Sequence, residues 1–296
     1  PLRQLIMKLL IQDTGFGRMI VYLSIFGASF IGIGLWSAWL VTHPARIESG
    51  LAPKNFNLPA EDIMLTTKDG IAISGWFIPA RVAQQSALVI LHGYPAEKGD
   101  MLSIASSLYP DFNILLIDLR YFGKSGGSFT TLGTKEPLDL EAAVDFLESR
   151  GFKKVGVLGF SLGGATAILQ ASRDPRIAAV VSYASFADLT LLGKDTYARL
   201  PGIREILIPV MKFWARVFWD VDTAFSPKEA AENLQTPILI IHTQLDEQIP
   251  FRHAELLRDA LKQNERAEFY FPEVGRHGEL PHDFEAKLQN FFLKSM

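Results

Sequence analysis

The chain contains no cysteine, so no disulfide staples its fold and no thiolate is available to a zinc site. Its histidines, aspartates and glutamates show no metal-ligand spacing either, and a metal mechanism has no support. The glycines between Phe122 and Ser128 are not followed by the Lys-Ser/Thr of a phosphate cradle, so nucleotide binding is equally unsupported. No basic stripe accompanies the formal net charge of −3, which leaves nucleic acid without a docking surface. Internal repeats and low-complexity tracts are missing as well. What remains is a cofactor-free, metal-free chain acting on a small-molecule or lipid-like substrate.

Charge is also missing locally. No charged residue occurs between Met19 and Thr42, and Ile20-Val21-Tyr22-Leu23-Ser24-Ile25-Phe26 and Leu35-Trp36-Ser37-Ala38-Trp39-Leu40-Val41 are almost wholly apolar. At 1.5 Å per residue such a helix spans roughly 33–35 Å, enough to cross a hydrocarbon core of about 30 Å. Tyr22, Trp36 and Trp39 lie toward its ends, as interfacial aromatics do, and Gly27, Gly32 and Gly34 are tolerated in lipid. A cleaved signal peptide has a shorter apolar region and a small-residue cleavage site, which Trp39-Leu40-Val41 does not supply. A membrane anchor over about 19–42 is expected within an N-terminal segment 1–45. Arg3, Lys8 and Arg18 precede it, and Arg46 and Lys54 follow. That slight imbalance favours a cytoplasmic N-terminus and an extracytoplasmic C-terminal domain. The Leu2–Ile11 stretch reads either as a surface-lying segment or as a disordered lead-in. Residues 46–61 read as a linker, and nothing in the sequence gives the N-terminal segment a part in the chemistry beyond it.

The chemistry begins at Gly159-Phe160-Ser161-Leu162-Gly163-Gly164. Lys154-Val155-Gly156-Val157-Leu158 before it is a short β-branched run that makes a buried strand, and Ala165–Ser172 after it is a helix-forming segment. A strand-to-helix turn this tight holds its serine in a strained conformation. Glycines two before and two after remove side chains that would collide across the turn. The serine oxygen then projects at a helix N-terminus, where backbone N–H groups favour developing negative charge. A serine needs a histidine to take its proton and a carboxylate to hold that histidine. Asp246 follows the apolar strand Ile238–His242, and His277 follows the strand Glu268–Phe271, both in loops at C-terminal strand ends where open α/β sheets place their sites. Glu247 competes with Asp246 for the acid. His282, expected on the first turn of the last helix, competes with His277. His92 and His242 read as structural hydrogen-bonding residues, and Asp118 as the residue that ties down the glycine-rich loop after it.

From about Asp62 to the C-terminus the sequence resembles the α/β-hydrolase superfamily. The resemblance is carried by the elbow, by Leu91-His92-Gly93-Tyr94-Pro95, by Asp118-Leu119-Arg120-Tyr121-Phe122-Gly123-Lys124-Ser125, and by the late Asp and His loops. Asp69-Gly70 and Gly75-Trp76-Phe77-Ile78-Pro79 look like the early region of membrane-anchored lysophospholipase-like or prolyl-oligopeptidase-like serine hydrolases. The resemblance implies that the backbone N–H groups of Tyr94 and Leu162 form the oxyanion hole. Two positions depart from the pattern: Thr243 stands where a glycine is usual after His242, and Arg276 sits beside His277.

Alternation of strand and helix from residue 62 onward implies an α/β-hydrolase fold, with a mostly parallel eight-stranded sheet and helices on both faces. Strands are expected at Ile63–Thr67, Ile71–Ile78, Ala87–Leu91, Asn113–Asp118 and Ile177–Tyr183, and helices near Lys98–Leu108 and Glu136–Arg150. The stretch of about 187–226 breaks the alternation and reads as a small helical cap, with Phe213-Trp214 and Phe218-Trp219 at helical spacing. The resulting expectation is a membrane-anchored serine hydrolase cleaving carboxylic esters or thioesters through Ser161, His277 and Asp246. The alternatives are a serine peptidase of prolyl-oligopeptidase-like type and a non-catalytic membrane-tethered scaffold. Oligomeric state is not legible.

Overall fold

The computed structural model of the chain describes residues 15–81 and 85–296, so the Leu2–Ile11 stretch with Arg3 and Lys8 lies outside the described residues. The first helix, α1 (Gly15–Thr42), begins ahead of the expected Met19 and includes Arg18 near its start. By length and composition it is able to cross a membrane. A single 8-stranded sheet follows. Its strands are β1 (Glu61–Thr66), β2 (Ala72–Ile78), β3 (Ser86–Leu91), β4 (Asn113–Ile117), β5 (Lys154–Phe160), β6 (Ile177–Tyr183), β7 (Ile238–Ile241) and β8 (Ala267–Tyr270). Their spatial order is β1-β2-β4-β3-β5-β6-β7-β8. β2 runs antiparallel to both β1 and β4, and the remaining pairs are parallel. The β1–β2 turn closes through Thr67 N–H to Ile71 O at 2.9 Å, with Gly70 at φ 83 supplying the left-handed position.

The central strands are apolar without interruption because both faces are covered. Alternate side chains enter two separate cores. Val89, Leu91 and Val157 pack with α3 (Glu136–Ser149), α4 (Leu162–Ala171), α7 (Pro227–Glu232) and α8 (Arg252–Ala260). Leu88, Ile90 and Leu158 pack with α2 (Leu102–Leu108) and α9 (Phe284–Ser295). The helix expected from Lys98 opens instead as a 3-10 turn, Lys98–Met101, before α2. His282 lies in the turn ahead of α9 and not on its first helical turn.

Two further helices, α5 (Leu189–Thr196) and α6 (Ile203–Trp219), fill the stretch between β6 and α7. They meet the end of α1. Gly34, Ala38 and Thr42 are the buried positions of α1, spaced by four and therefore on one stripe. A Cβ on Gly34 would come within 2.4 Å of Val210 on α6, so the glycine permits the close approach of the two helices. Ala38 packs with Ala215 and Val221.

The stretch expected as a linker, together with the residues just ahead of it, is strapped to the domain. Thr130 N–H donates to Thr42 O (3.0 Å), Tyr121 Oη to Pro44 O (2.7 Å) and Arg46 Nη2 to Gly127 O (2.9 Å). Ser49 donates through its N–H and its hydroxyl to Glu97 Oε1 at 2.7 and 2.6 Å.

Asp118, directly after β4, is fully buried and organises the loops around it. It accepts from Lys98 N (2.8 Å), Lys98 Nζ (2.5 Å) and Lys124 N (2.9 Å), so it pins both the 3-10 turn and the glycine-rich loop. The Lys98 ammonium also lies 4.5 Å from the Trp76 ring centroid and donates to Ser74 Oγ at 3.1 Å. Removing one partner of such a pair leaves the other charge buried alone. Asp118→Ala should therefore lower unfolding free energy by about 3–5 kcal/mol, read as a shift of the denaturant midpoint at unchanged slope. A loss under about 1 kcal/mol, the range of exposed pairs, would show that the buried pair contributes little.

Candidate active site

Ser161 sits between β5 and α4 at φ 53, ψ −112, a conformation that disfavours any residue with a Cβ. The turn is held there by contact on every side. A Cβ on Gly159 would lie 2.2 Å from Gly163 O, and one on Gly163 would lie 2.7 Å from His92 O. Both glycines of the elbow are thus required by close backbone approach, as the sequence pattern implied. The Ser161 N–H donates to Tyr183 O on β6 at 2.8 Å, which satisfies the serine's own backbone donor in the strained turn.

Asp246 and His277 meet. His277 Nδ1 stands 2.7 Å from Asp246 Oδ2, and the other carboxylate oxygen accepts from Gln248 N (2.9 Å) and Ile249 N (2.8 Å). Burial works to raise the Asp246 carboxyl, but the His277 bond and the Ile249 N–H outweigh it and hold the group below the usual carboxylate range. The imidazole is packed against Phe160 at a ring-centroid distance of 5.0 Å. Glu247, the competing acid, turns instead to the His277 backbone N–H at 3.2 Å. Arg276, whose charge was out of pattern, donates its N–H to Glu279 Oε2 at 2.9 Å. Ser161, His277, Tyr94 and Leu162 all line one cavity of about 580 Å³.

His92 and His242, expected as structural hydrogen-bonding residues, both make buried hydrogen bonds. Leu119 N–H donates to His92 Nε2 (2.9 Å), which places the proton on Nδ1, donating to Gly93 O at 2.7 Å. His92 therefore couples the β4 loop to the segment bearing Tyr94, and burial keeps it neutral by lowering its pKa. Gly93 is needed there, because a Cβ would stand 2.8 Å from the Phe160 ring and 3.1 Å from Ser161 Cβ. His242 Nε2 lies 2.8 Å from Ile249 O, behind the Asp246 loop, and burial lowers its pKa too. Sequence reasoning passed over His253. Ala187 N–H donates to its Nδ1 (3.0 Å) while Nε2 meets Asp195 of α5 at 3.0 Å, joining α8 to the cap. Burial first, then Arg252, pushes His253 down to about 4.

The cavity wall holds the main surprise. Leu189 and Leu192 of α5 and Met211 and Ala215 of α6 line it, but so do Ala38 and Val41 of α1. The helix expected as an anchor was also expected to be separate from the site, yet its end lines the cavity. Nothing in the hydropathy of α1 marks this. The only trace is the spacing of small residues along the buried stripe.

The sheet order, the serine elbow and the loop positions of Asp246 and His277 define an α/β hydrolase. The model of the Dienelactone hydrolase family matches residues 129–289, and the chain belongs to that family. It is similar to the uncharacterized protein YfhR of Escherichia coli O157:H7, 26% identical over 259 residues, covering 80% of this chain and 82% of the relative. It is similar also to protein bem46 of Schizosaccharomyces pombe, 27% identical over 206 residues, covering 67% of this chain and 64% of that one. Among solved structures, the esterase Pf2001 of Pyrococcus furiosus superposes with a TM-score of 0.71 at 25% identity, covering 86% of this chain and 99% of that chain.

Val41 lines the wall, so enlarging it should narrow the cavity. Val41→Trp in the full chain should cut kcat/KM for a decanoyl ester about tenfold or more, the scale of a few methylenes in an apolar pocket, and leave an acetyl ester within about twofold. An unchanged chain-length profile would place Val41 outside the substrate's path.

Proposed function

We propose that the protein is a membrane-anchored serine esterase that cleaves carboxylic esters or thioesters through an acyl-enzyme intermediate. The observation that carries this reading is the 2.7 Å contact between Asp246 and His277 Nδ1 beside a serine held on a strained elbow. With Nδ1 turned to the carboxylate, Nε2 is the nitrogen left to serve Ser161. Ser161 Oγ attacks the substrate carbonyl as Nε2 takes its proton. Asp246 keeps the imidazole in the required tautomer and stabilises the imidazolium. Charge develops on the former carbonyl oxygen, and the Tyr94 and Leu162 backbone N–H groups receive it. Leu162 lies in the first turn of α4, whose N–H groups have no intrahelical acceptor. Collapse of the tetrahedral intermediate expels the alkoxide or thiolate, which collects the proton from His277. A water deprotonated by the same histidine then releases the acid and restores Ser161.

An apolar acyl group is favoured because aliphatic side chains, among them Val41, Leu189, Leu192, Met211 and Ile249, line much of the cavity. Similarity to a named esterase supports ester over amide. The apolar length of α1 supports anchoring in a bilayer, and the charges flanking it favour an extracytoplasmic catalytic domain.

Steady-state rates on p-nitrophenyl esters of graded chain length test the assignment. His277→Ala should lower kcat about 10²–10⁴-fold, the usual worth of a general acid–base. Asp246→Asn should fall between wild type and that variant, and His282→Ala should stay within about threefold of wild type because it touches neither proton transfer. An inactive His282→Ala beside an active His277→Ala would reassign the base.

A further inference from the structure

The cap helix α6 carries two apolar faces, one turned to the cavity and the domain, the other meeting α1 at Val210 with its remaining side chains exposed. Leu207, Met211 and Ala215 turn inward toward the cavity and the domain. Ile206, Val210, Phe213 and Val217 recur at i, i+4, i+7 and i+11, so they form one stripe. Ile206, Phe213 and Val217 are 61%, 57% and 55% exposed, on a helix whose polar positions Lys212 and Arg216 lie on other sides. An apolar stripe of this size is costly in water.

The stripe is continuous with a second apolar surface. Val210, in its middle, is the residue against which Gly34 of α1 packs, and around that contact α1 exposes Ile31, Ile33 and Trp36. The level of the contact is set by α1 itself. Counting 1.5 Å per residue from Met19, a hydrocarbon core of about 30 Å is used up near Ala38. On that count the Gly34–Val210 contact stands within the leaflet nearest the catalytic domain, about 6 Å short of its polar face. Trp36 and Trp39, stacked at 5.1 Å, stand between that contact and the polar face.

We infer that α6 is seated in that leaflet alongside α1, with its outer stripe among the acyl chains and its inner face forming the cavity roof, and that the substrate is a long-chain acyl ester resident in the bilayer. This rests on the anchored-esterase reading and adds where the substrate comes from. A helix that is lipid-facing on one side and cavity-facing on the other, beside a membrane helix that also lines the cavity, lets an acyl chain pass from leaflet to Ser161 without crossing bulk water.

The absence of cysteine makes the test clean, because a single introduced cysteine carries the only label. Nitroxides on Ile25→Cys, Phe213→Cys and Glu285→Cys, in the full chain reconstituted into phosphatidylcholine vesicles, report collision with oxygen against a water-soluble nickel chelate. Ile25 and Phe213 should both be oxygen-rich and shielded from the chelate, and Glu285 the reverse. A shielded Ile25 with a chelate-exposed Phe213 would overturn the seating of α6 and leave the anchor intact. A chelate-exposed Ile25 would overturn the anchor and this inference with it. Dipolar broadening at Phe213 would assign the stripe to a second copy of the chain and likewise overturn it. For the substrate, Phe213→Asp with Val217→Asp should cut hydrolysis of a long-chain acyl ester in vesicles about tenfold or more, and leave a water-soluble butyrate ester within about twofold. Equal losses on both substrates, or none on the vesicle ester, would refute a bilayer source. Inactivity of wild type on both would refute the esterase reading itself.

Discussion

The closest approach in the molecule that matters is the one between β5 and α4, where Gly159 and Gly163 bring backbone to backbone with no room for a Cβ. Everything at the site is arranged around it. The contact forces the intervening Ser161 into a positive φ. It also brings the helix N-terminus to the strand ends and lets the His92–Gly93–Tyr94 segment pack directly on Phe160 and Ser161. Strain of this kind costs of order 1–3 kcal/mol and persists only where the surroundings over-determine it. Here they do: the flanking strands β3 and β6 are buried at all but one position each, and the Ser161 N–H is fixed to Tyr183.

Around the elbow, buried polar groups position loops that have no regular structure of their own. Asp118 with Lys98 holds the loops after β3 and β4, His92 bridges them, and His242 supports the turn that presents Asp246. None of these touches the cavity, yet each fixes the direction of a group that does. The same logic extends to the cap, where His253 reaches Asp195 across from α8. The roof of the cavity is the one part built from elements of very different character, a cap helix and the end of an apolar helix that spans membrane length.

Much of this was legible from residues alone. The elbow is a local pattern whose sterics admit few solutions, and β6 runs over the expected Ile177–Tyr183. Chain order and strand ends restrict where an acid and a base can lie and single out Asp246 and His277, and the two side chains meet. Boundaries moved where tertiary bonds intervene. Lys98, drawn to Asp118, opens a 3-10 turn in place of an α-helix, and His282 falls in a turn because α9 starts at Phe284. What could not be read was long-range pairing between segments with no mutual signal. Gly34 reads as a glycine tolerated in lipid, whereas it admits Val210. His253 and Asp195 lie far apart in sequence, and a linker-like composition conceals the bonds from Ser49 to Glu97. Hydropathy reports that a helix prefers lipid, and it is silent on which of its faces meets protein.

The central claim is that the strained Ser161 is the residue that bonds to the acyl group. Trypsin should release Val155–Arg173 as one peptide, in which the only other hydroxyl groups are on Thr166 and Ser172. After reaction with a fluorophosphonate, fragmentation of that peptide should place the phosphonyl mass on Ser161, and pre-incubation with an acyl ester should slow its appearance. An adduct on another residue, or no adduct on a folded chain, would contradict the claim.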